Sequence, residues 1–181
     1  TNREIIMKQY QELLRNILSE NTDSEGVVQF NRDTRSGRVC GVFDASLSVD
    51  MREGFPAITT KYISSNSVIG EALFFLNGED TLDDLRFRSE IPEFPKGKWT
   101  IWSNDQQRWN KLGNESLGLI YGKQWTSWFD YGTKESINQI ANLIDNIKKD
   151  PMSRYHIVSA WNVADIINDR MALPPCYMMF Q

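Results

Sequence analysis

The spacing of apolar residues along the chain predicts three helices. Apolar residues recur at helical intervals near the N-terminus, where Thr1 and Glu4 also have the spacing of a capping box. A second apolar run stops at Asn77-Gly78, and a third ends before Asp150-Pro151, both of which are helix-terminating signals. The predicted helices run from Thr1 to Ile17, from Ser64 to Leu76 and from Lys134 to Lys149.

Alternation of apolar and polar residues predicts extended segments elsewhere in the chain. Strands are predicted over 39–49 and 155–161, and another begins at 176–181. The stretch 80–117 contains Pro92 and Pro95 and is predicted to be an irregular region with a small helical part. The chain shows no repeat, low-complexity tract or linker, so we expect one α+β domain over 1–181.

Composition narrows the classes of function. The 181 residues carry a formal net charge of −4 and a sequence pI of about 5.1, which argues against a nucleic-acid surface of clustered Lys and Arg. Two cysteines and a single histidine, His156, make a zinc site improbable, and we expect no metal. Without a signal-peptide pattern or an apolar run of spanning length, we expect a cytoplasmic protein that contacts no membrane.

Cys176 follows a Pro-Pro pair and opens a short apolar run. The prolines fix φ and remove two backbone donors, which predicts a stiff turn before the thiol. On composition alone a buried structural cysteine is the better interpretation. A nucleophilic thiol is the alternative, and it needs neighbours that favour the thiolate.

Glu71 and Tyr121 are two further candidates for chemistry. Glu71 lies in a helix that is apolar on nearly every side, and Val68 and Phe75 share its face, which predicts a buried carboxyl group. Burial disfavours the charged form of a carboxyl group, and this suits proton transfer near neutral pH. A helix with a narrow solvent-facing stripe at Gly70 and Glu71 is the alternative. The hydroxyl of Tyr121 needs a partner if it is buried, either a substrate or a backbone group.

Four arginines are candidate anion contacts. Arg32, Arg35 and Arg38 share a loop with hydroxyl residues and Gly37, a combination that suits a phosphate but is also found in solvated basic loops. Arg154 follows the third predicted helix and could equally form a surface ion pair.

Taken in order, several segments resemble thymidylate synthase. The resemblance covers essentially the whole chain, and its blocks keep the order and spacing of the family. They are Met7-Lys-Gln-Tyr10, Gly54-Phe-Pro56, Thr59-Thr-Lys61, Glu71-Ala-Leu-Phe-Phe-Leu76, Trp102, Ile120-Tyr-Gly-Lys-Gln-Trp125, Asp150-Pro-Met-Ser-Arg154, Ile157-Val-Ser-Ala-Trp-Asn162 and Met171-Ala-Leu-Pro-Pro-Cys176. The resemblance implies the family's α+β fold, a mixed sheet with packed helices.

The resemblance implies synthesis of dTMP from dUMP, with 5,10-methylenetetrahydrofolate as the donor of the one-carbon unit and hydride. Cys176 would add to carbon 6 of the uracil ring, and this covalent step makes carbon 5 nucleophilic. Glu71 would move protons, with Tyr121 supporting the proton network. Further residues are implied by position: Trp102, Ile101 and Leu173 at the folate, and Arg154 at the nucleotide phosphate of a partner subunit in a homodimer.

Four positions depart from the family pattern. Tyr155 stands where the family has a second arginine, Tyr177 follows the nucleophile in place of histidine, and Ser103 replaces an aspartate beside Trp102. The phosphate loop places Thr34 at the arginine position in a gap-free alignment. A shift by one residue supplies Arg35, which is our choice of substrate-binding residue.

The family's remaining site residues follow the nucleophile and have no counterpart in this sequence. We therefore expect an incomplete domain, truncated on its C-terminal side or completed by a separate C-terminal half, and inactive by itself. Two alternatives stay open. One is a hydroxymethylase of the same fold acting on dUMP or dCMP, which the changes at Ser103, Tyr155 and Tyr177 permit. The other is a nucleotide-binding relic without catalysis.

Overall fold

The computed structural model describes residues 2–34, 37–89, 100–110 and 115–181. They belong to two compact units, Thr1–Ile63 and Ser64–Gln181. The order of elements is α1 (Asn2–Glu20), β1 (Arg32–Thr34), β2 (Gly37–Val39), α2 (Ser65–Leu76), α3 (Leu82–Arg88), α4 (Ile101–Trp109), α5 (Tyr121–Thr126), β3 (Trp128–Asp130), β4 (Glu135–Ile137), α6 (Gln139–Lys149), β5 (Val158–Ser159), α7 (Val163–Ile167) and β6 (Met179–Phe180). The predicted α+β class is confirmed, and the single domain stays a prediction.

The first unit consists of α1 and a hairpin. α1 confirms the predicted N-terminal helix. β1 and β2 pair antiparallel, with Arg32 opposite Val39. The predicted strand over 39–49 is wrong, because after Val39 the chain finds no pairing partner and Phe43 is fully exposed. None of the described side chains of this unit is buried.

The second unit contains the hydrophobic core, which its helices and short strands enclose. α2 begins after the N-cap Ser64, whose hydroxyl accepts the Ser67 N–H, and ends at Asn77, as predicted. Gly78 follows with φ at 68°, a conformation that glycine adopts without strain. The core residues are Phe74, Phe75, Leu82, Leu85, Trp102, Leu117, Ile120, Tyr121, Trp125, Val158, Ala160 and Met171.

The strands of the second unit are shorter than predicted. β3 pairs antiparallel with β4, and β5 pairs antiparallel with β6. The third predicted helix begins at Gln139 rather than Lys134, because residues 135–137 pair with β3 and the side chain of Asn138 caps α6. β6 begins at Met179, so Cys176 lies in the turn before the strand rather than at its start. No helix in the described ranges is long and apolar enough to cross a membrane.

Candidate active site

Tyr121 and Cys176 are in direct contact, although 55 residues separate them. Tyr121 is the first residue of α5 and is only 4% exposed. Its hydroxyl oxygen accepts the backbone N–H of Cys176. Burial raises the pKa of Tyr121; the backbone N–H groups of Cys176 and Tyr177 act against that rise, and a hydrogen bond with the Cys176 side chain adds to it. The phenol therefore stays protonated at neutral pH beside an exposed thiol.

Glu71 and Trp102 form a second pair. The indole Nε1–H of Trp102 donates to Oε1 of Glu71 at 2.5 Å, which joins α2 to α4. Trp102 is 6% exposed, whereas Glu71 is only half-buried. The buried carboxyl group predicted at Glu71 is therefore wrong, and Val68 on the same helix face is itself exposed. The alternative, a narrow solvent-facing stripe at Gly70 and Glu71, is wrong too, since Gly70 is buried against Ser89.

Phe75 joins the two pairs. Its ring centroid lies 5.0 Å from that of Tyr121 and 6.1 Å from that of Trp102. Because Phe75 follows Glu71 by one helical turn, both side chains lie on the same face of α2. The structure thus brings four of the predicted residues into one part of the second unit. The sequence analysis assigned no role to Phe75, although its helical spacing from Glu71 was a usable signal.

Tyr177, the residue after the thiol, covers Tyr121. The two rings are stacked, with centroids 4.3 Å apart and planes at 19°. Burial raises the pKa of Tyr177, and negative charge at Tyr121, Glu71 and Cys176 raises it further. The same three groups are therefore close enough to Tyr177 to influence its ionisation.

Two backbone segments fix the approach of the Cys176 turn. The N–H of Ala172 donates to the Leu117 carbonyl at 2.8 Å, and the N–H of Leu119 donates to the Arg170 carbonyl at 2.9 Å. Gly118 lies between them with φ at 74°, and a Cβ there would be 2.4 Å from the Arg170 carbonyl oxygen. Only glycine permits this close pairing. The pairing leads one segment into Tyr121 and the other towards Cys176.

A buried carboxylate ties these segments together, and the sequence analysis missed it. Asp165, on α7, is 1% exposed. It accepts hydrogen bonds from Gln124 Nε2 at 2.9 Å, from the Tyr131 hydroxyl at 2.9 Å and from the Arg170 guanidinium at 3.1 Å. Its donors come from α5, from the turn after β3 and from the residue before Met171. Its short helix has no long apolar period, so the sequence carried little signal.

The other predicted site residues are placed less tightly. Ile101 precedes Trp102 and is 83% exposed, and Leu173 is half-buried against the core. Arg154 is exposed; its guanidinium hydrogen-bonds the Tyr155 hydroxyl at 3.3 Å, and its backbone carbonyl accepts from Gln181 at 2.9 Å. None of the interactions found among the described residues brings Arg154 to Cys176 or Glu71. Arg35 lies outside the described residues.

Comparisons with known proteins agree with this arrangement. A family model described as thymidylate synthase matches residues 8–181. The chain is 44% identical over 154 residues to a probable thymidylate synthase of Escherichia phage T5, covering 83% of this chain and 51% of the relative. It is 39% identical over 179 residues to thymidylate synthase of Enterobacteria phage T4, and this match covers 97% of this chain and 56% of the relative.

A solved structure gives the same result. The crystal structure of thymidylate synthase from T4 phage superposes with a TM-score of 0.74 at 39% identity, covering 96% of this chain and 56% of that one. The chain thus spans about half the length of these relatives. Their names do not favour the hydroxymethylase or the non-catalytic relic. This chain belongs to the thymidylate synthase family.

Proposed function

We propose that the protein converts dUMP to dTMP, with 5,10-methylenetetrahydrofolate as one-carbon and hydride donor. The observation that carries the proposal is the convergence of Cys176, Tyr121, Glu71 and Trp102 in one region of a chain of this family. A thiol, a protonated phenol and a carboxyl group are the groups that addition to a pyrimidine and the later removal of a proton require.

Cys176 is the proposed nucleophile. Its thiol is exposed, and its backbone N–H is bound by the buried Tyr121 hydroxyl, so an accessible group stands on a fixed turn. Addition of the thiolate to carbon 6 of dUMP forms a C–S bond and places the electron pair on the enolate that includes carbon 5. Fixing the sulfur in the attacking geometry lowers the entropic part of the barrier.

Glu71 is the proposed group that holds and moves protons. The Trp102 N–H occupies only one of its oxygens in the described structure, which leaves the other carboxylate positions for water or substrate. Tyr121 supports this role as a neutral hydroxyl that hydrogen-bonds the thiol side chain.

Trp102, Ile101 and Leu173 are the proposed folate contacts. The exposed side chain of Ile101 and the partly exposed Leu173 offer apolar surface to a flat ring, while Trp102 is held by its bond to Glu71. Apolar side chains of this kind beside a carboxyl group would suit an aromatic ligand. When bound, methylenetetrahydrofolate supplies the one-carbon unit and the hydride.

A homodimer is the proposed assembly, and the segment 157–161 supports it. Val158 and Ala160 are fully buried, whereas Ile157 and Trp161 on the opposite face are exposed. A segment that is apolar on both faces is stabilised when a second surface covers the outer one. We propose that a second copy covers it and that Arg154, which lies beside this segment, contacts the nucleotide phosphate of that copy. Arg35 is the proposed phosphate contact within the chain.

We propose a cytoplasmic location. Both cysteines are free, which suits a reducing compartment. A nucleophilic thiol also has to stay reduced to act.

The test uses the protein from its whole coding sequence, incubated with dUMP and methylenetetrahydrofolate. We expect a product with the mass of dTMP and a dUMP adduct on the peptide that carries Cys176. Cys176→Ser should abolish both, because a hydroxyl is a far weaker nucleophile than a thiolate.

Cys40→Ser is the matched control, since Cys40 is the other free thiol. It should keep product and adduct. A hydroxymethylated product would contradict the proposal, as would methylation that persists in the Cys176→Ser protein.

A further inference from the structure

The turn that carries Cys176 is attached to α5 by two interactions that involve the same side chain. The Tyr121 hydroxyl accepts the backbone N–H of Cys176. The next residue of the turn, Tyr177, lays its ring on the Tyr121 ring at a centroid distance of 4.3 Å. The turn therefore holds in place the side chain that binds it.

We propose that Tyr177 is a positioning residue for Cys176: by stacking on Tyr121 it keeps the Tyr121 hydroxyl against the backbone N–H of the nucleophile. The proposal deepens the proposed function, on which its catalytic meaning rests. It assigns Tyr177 no contact with the reacting atoms.

The packing around Tyr121 explains why this one stack matters. Two other rings limit movement of the Tyr121 ring. The ring centroid of Phe75, on α2, lies 5.0 Å from that of Tyr121, and the centroid of Trp125, on α5, lies 6.0 Å from it. Tyr177 alone among these three belongs to the turn of Cys176. A hydrogen bond fixes only one atom of the phenol, whereas a stacked ring also fixes its plane. Loss of the stack should therefore loosen the hydrogen bond.

The ring of Tyr177, rather than its hydroxyl, performs this role. Burial and the negative charges of Tyr121, Glu71 and Cys176 raise the pKa of Tyr177, so the side chain is neutral when the thiol reacts. A neutral ring adds packing without placing a charge beside the thiolate. Phenylalanine should consequently replace Tyr177 in the stack, and an aliphatic residue should not.

The test measures backbone amide exchange of Cys176 by NMR in the purified protein. Tyr177→Leu should speed this exchange about five- to tenfold, the effect of losing one ordinary hydrogen bond, while Phe75 in the core keeps its protection. Tyr177→Phe should restore the slow exchange. Phe180→Leu is the matched control, because it removes a different ring of the same cluster, one that packs on Trp125 at 5.3 Å.

A double variant separates positioning from general stability. Tyr121→Phe removes the acceptor and should speed Cys176 exchange by a similar factor. Adding Tyr177→Leu to it should then change the exchange little, because the bond that the stack protects is already absent. If the two substitutions accelerate Cys176 amide exchange independently, so that their factors multiply in the double variant, the proposal is overturned. An unchanged exchange rate in Tyr177→Leu would also overturn it. Because amide exchange needs no turnover, these results stand apart from the outcome of the dTMP assay.

Discussion

At the scale of single residues, two stacked phenols, the buried Tyr121 and the more exposed Tyr177, define the surroundings of the thiol. The Tyr121 hydroxyl accepts a hydrogen bond from the backbone N–H of Cys176 and contacts the Cys176 side chain, and the ring of Tyr177 stacks on the ring of Tyr121. Burial raises the pKa of both phenols, and negative charge at Tyr121 raises the pKa of Tyr177 further. The pair therefore stays neutral across the range in which a thiol ionises.

This neutrality predicts a loss of stability at alkaline pH. Unfolded tyrosines ionise near pH 10, whereas the folded pKa values of Tyr121 and Tyr177 are raised. Below that pH both states are protonated and the stabilising effect is complete. Above it the unfolded state loses its protons first, so the free energy of unfolding should fall as pH rises towards the folded pKa values. Urea midpoints measured from about pH 8 to 11 should show this decline.

Tyr177→Phe provides the check on that assignment. It removes one of the two titrating phenols and keeps the ring, so the alkaline decline should become shallower. A decline as steep as that of the unsubstituted protein would assign the effect to other groups.

At the scale of elements, Asp165 is the point where α5, α7 and the segment before Cys176 meet. Asp165→Asn keeps the shape of the side chain, but only one of its two terminal atoms remains a hydrogen-bond acceptor, whereas both carboxylate oxygens accept in Asp165. Either Gln124 or the Tyr131–Arg170 pair then faces an amide N–H. We expect a loss of about 1–3 kcal/mol in the free energy of unfolding, the usual cost of an unsatisfied buried group.

Urea denaturation measures this loss. Asp145→Asn, a carboxylate on the exposed surface of α6, is the control and should change stability little. Equal stability of the two variants would mean that the Asp165 network contributes nothing to the fold.

The elements differ in how well the sequence predicts them. α1 and α2 have apolar residues at helical spacing, and α2 also has a local cap at Ser64, so short-range information was sufficient. The local pattern over 134–138 permits a helix, yet residues 135–137 pair with β3 instead. The segment 39–49 alternates like a strand but has no partner strand. Local patterns therefore predicted helices better than strands, whose pairing depends on distant residues.

The candidate site shows the same limit. Resemblance identified Cys176, Tyr121, Glu71 and Trp102 one by one, but the contact between Tyr121 and the Cys176 backbone joins residues 55 apart. No periodicity encodes such a contact. The stack of Tyr177 was hidden for the same reason: in the sequence it was only a departure from the family pattern.

At the scale of the whole molecule, the proposed homodimer explains the exposed apolar residues next to Arg154. Met152, Tyr155 and Ile157 are all exposed, and removing apolar surface from water favours association. Arg154 stacks against the Tyr155 ring, with its guanidinium carbon 5.4 Å from the ring centroid. Tyr155, which the resemblance sets at the position of the family's second arginine, therefore contacts Arg154 in this chain.

If Arg154 serves the partner's site, two inactive variants should complement each other. In a mixed dimer of Arg154→Ala and Cys176→Ser subunits, one site combines an intact thiol with the intact arginine of the other chain. Random exchange between equal amounts of the two variants makes half of the dimers mixed, and each mixed dimer has one working site of two. The dTMP-forming activity should therefore recover to about a quarter of that of the unsubstituted protein. Measuring dTMP formation before and after subunit exchange gives the answer, with each variant alone as control. Absence of recovery, despite mixed dimers detected by mass spectrometry, would place Arg154 in its own subunit's site or outside any site.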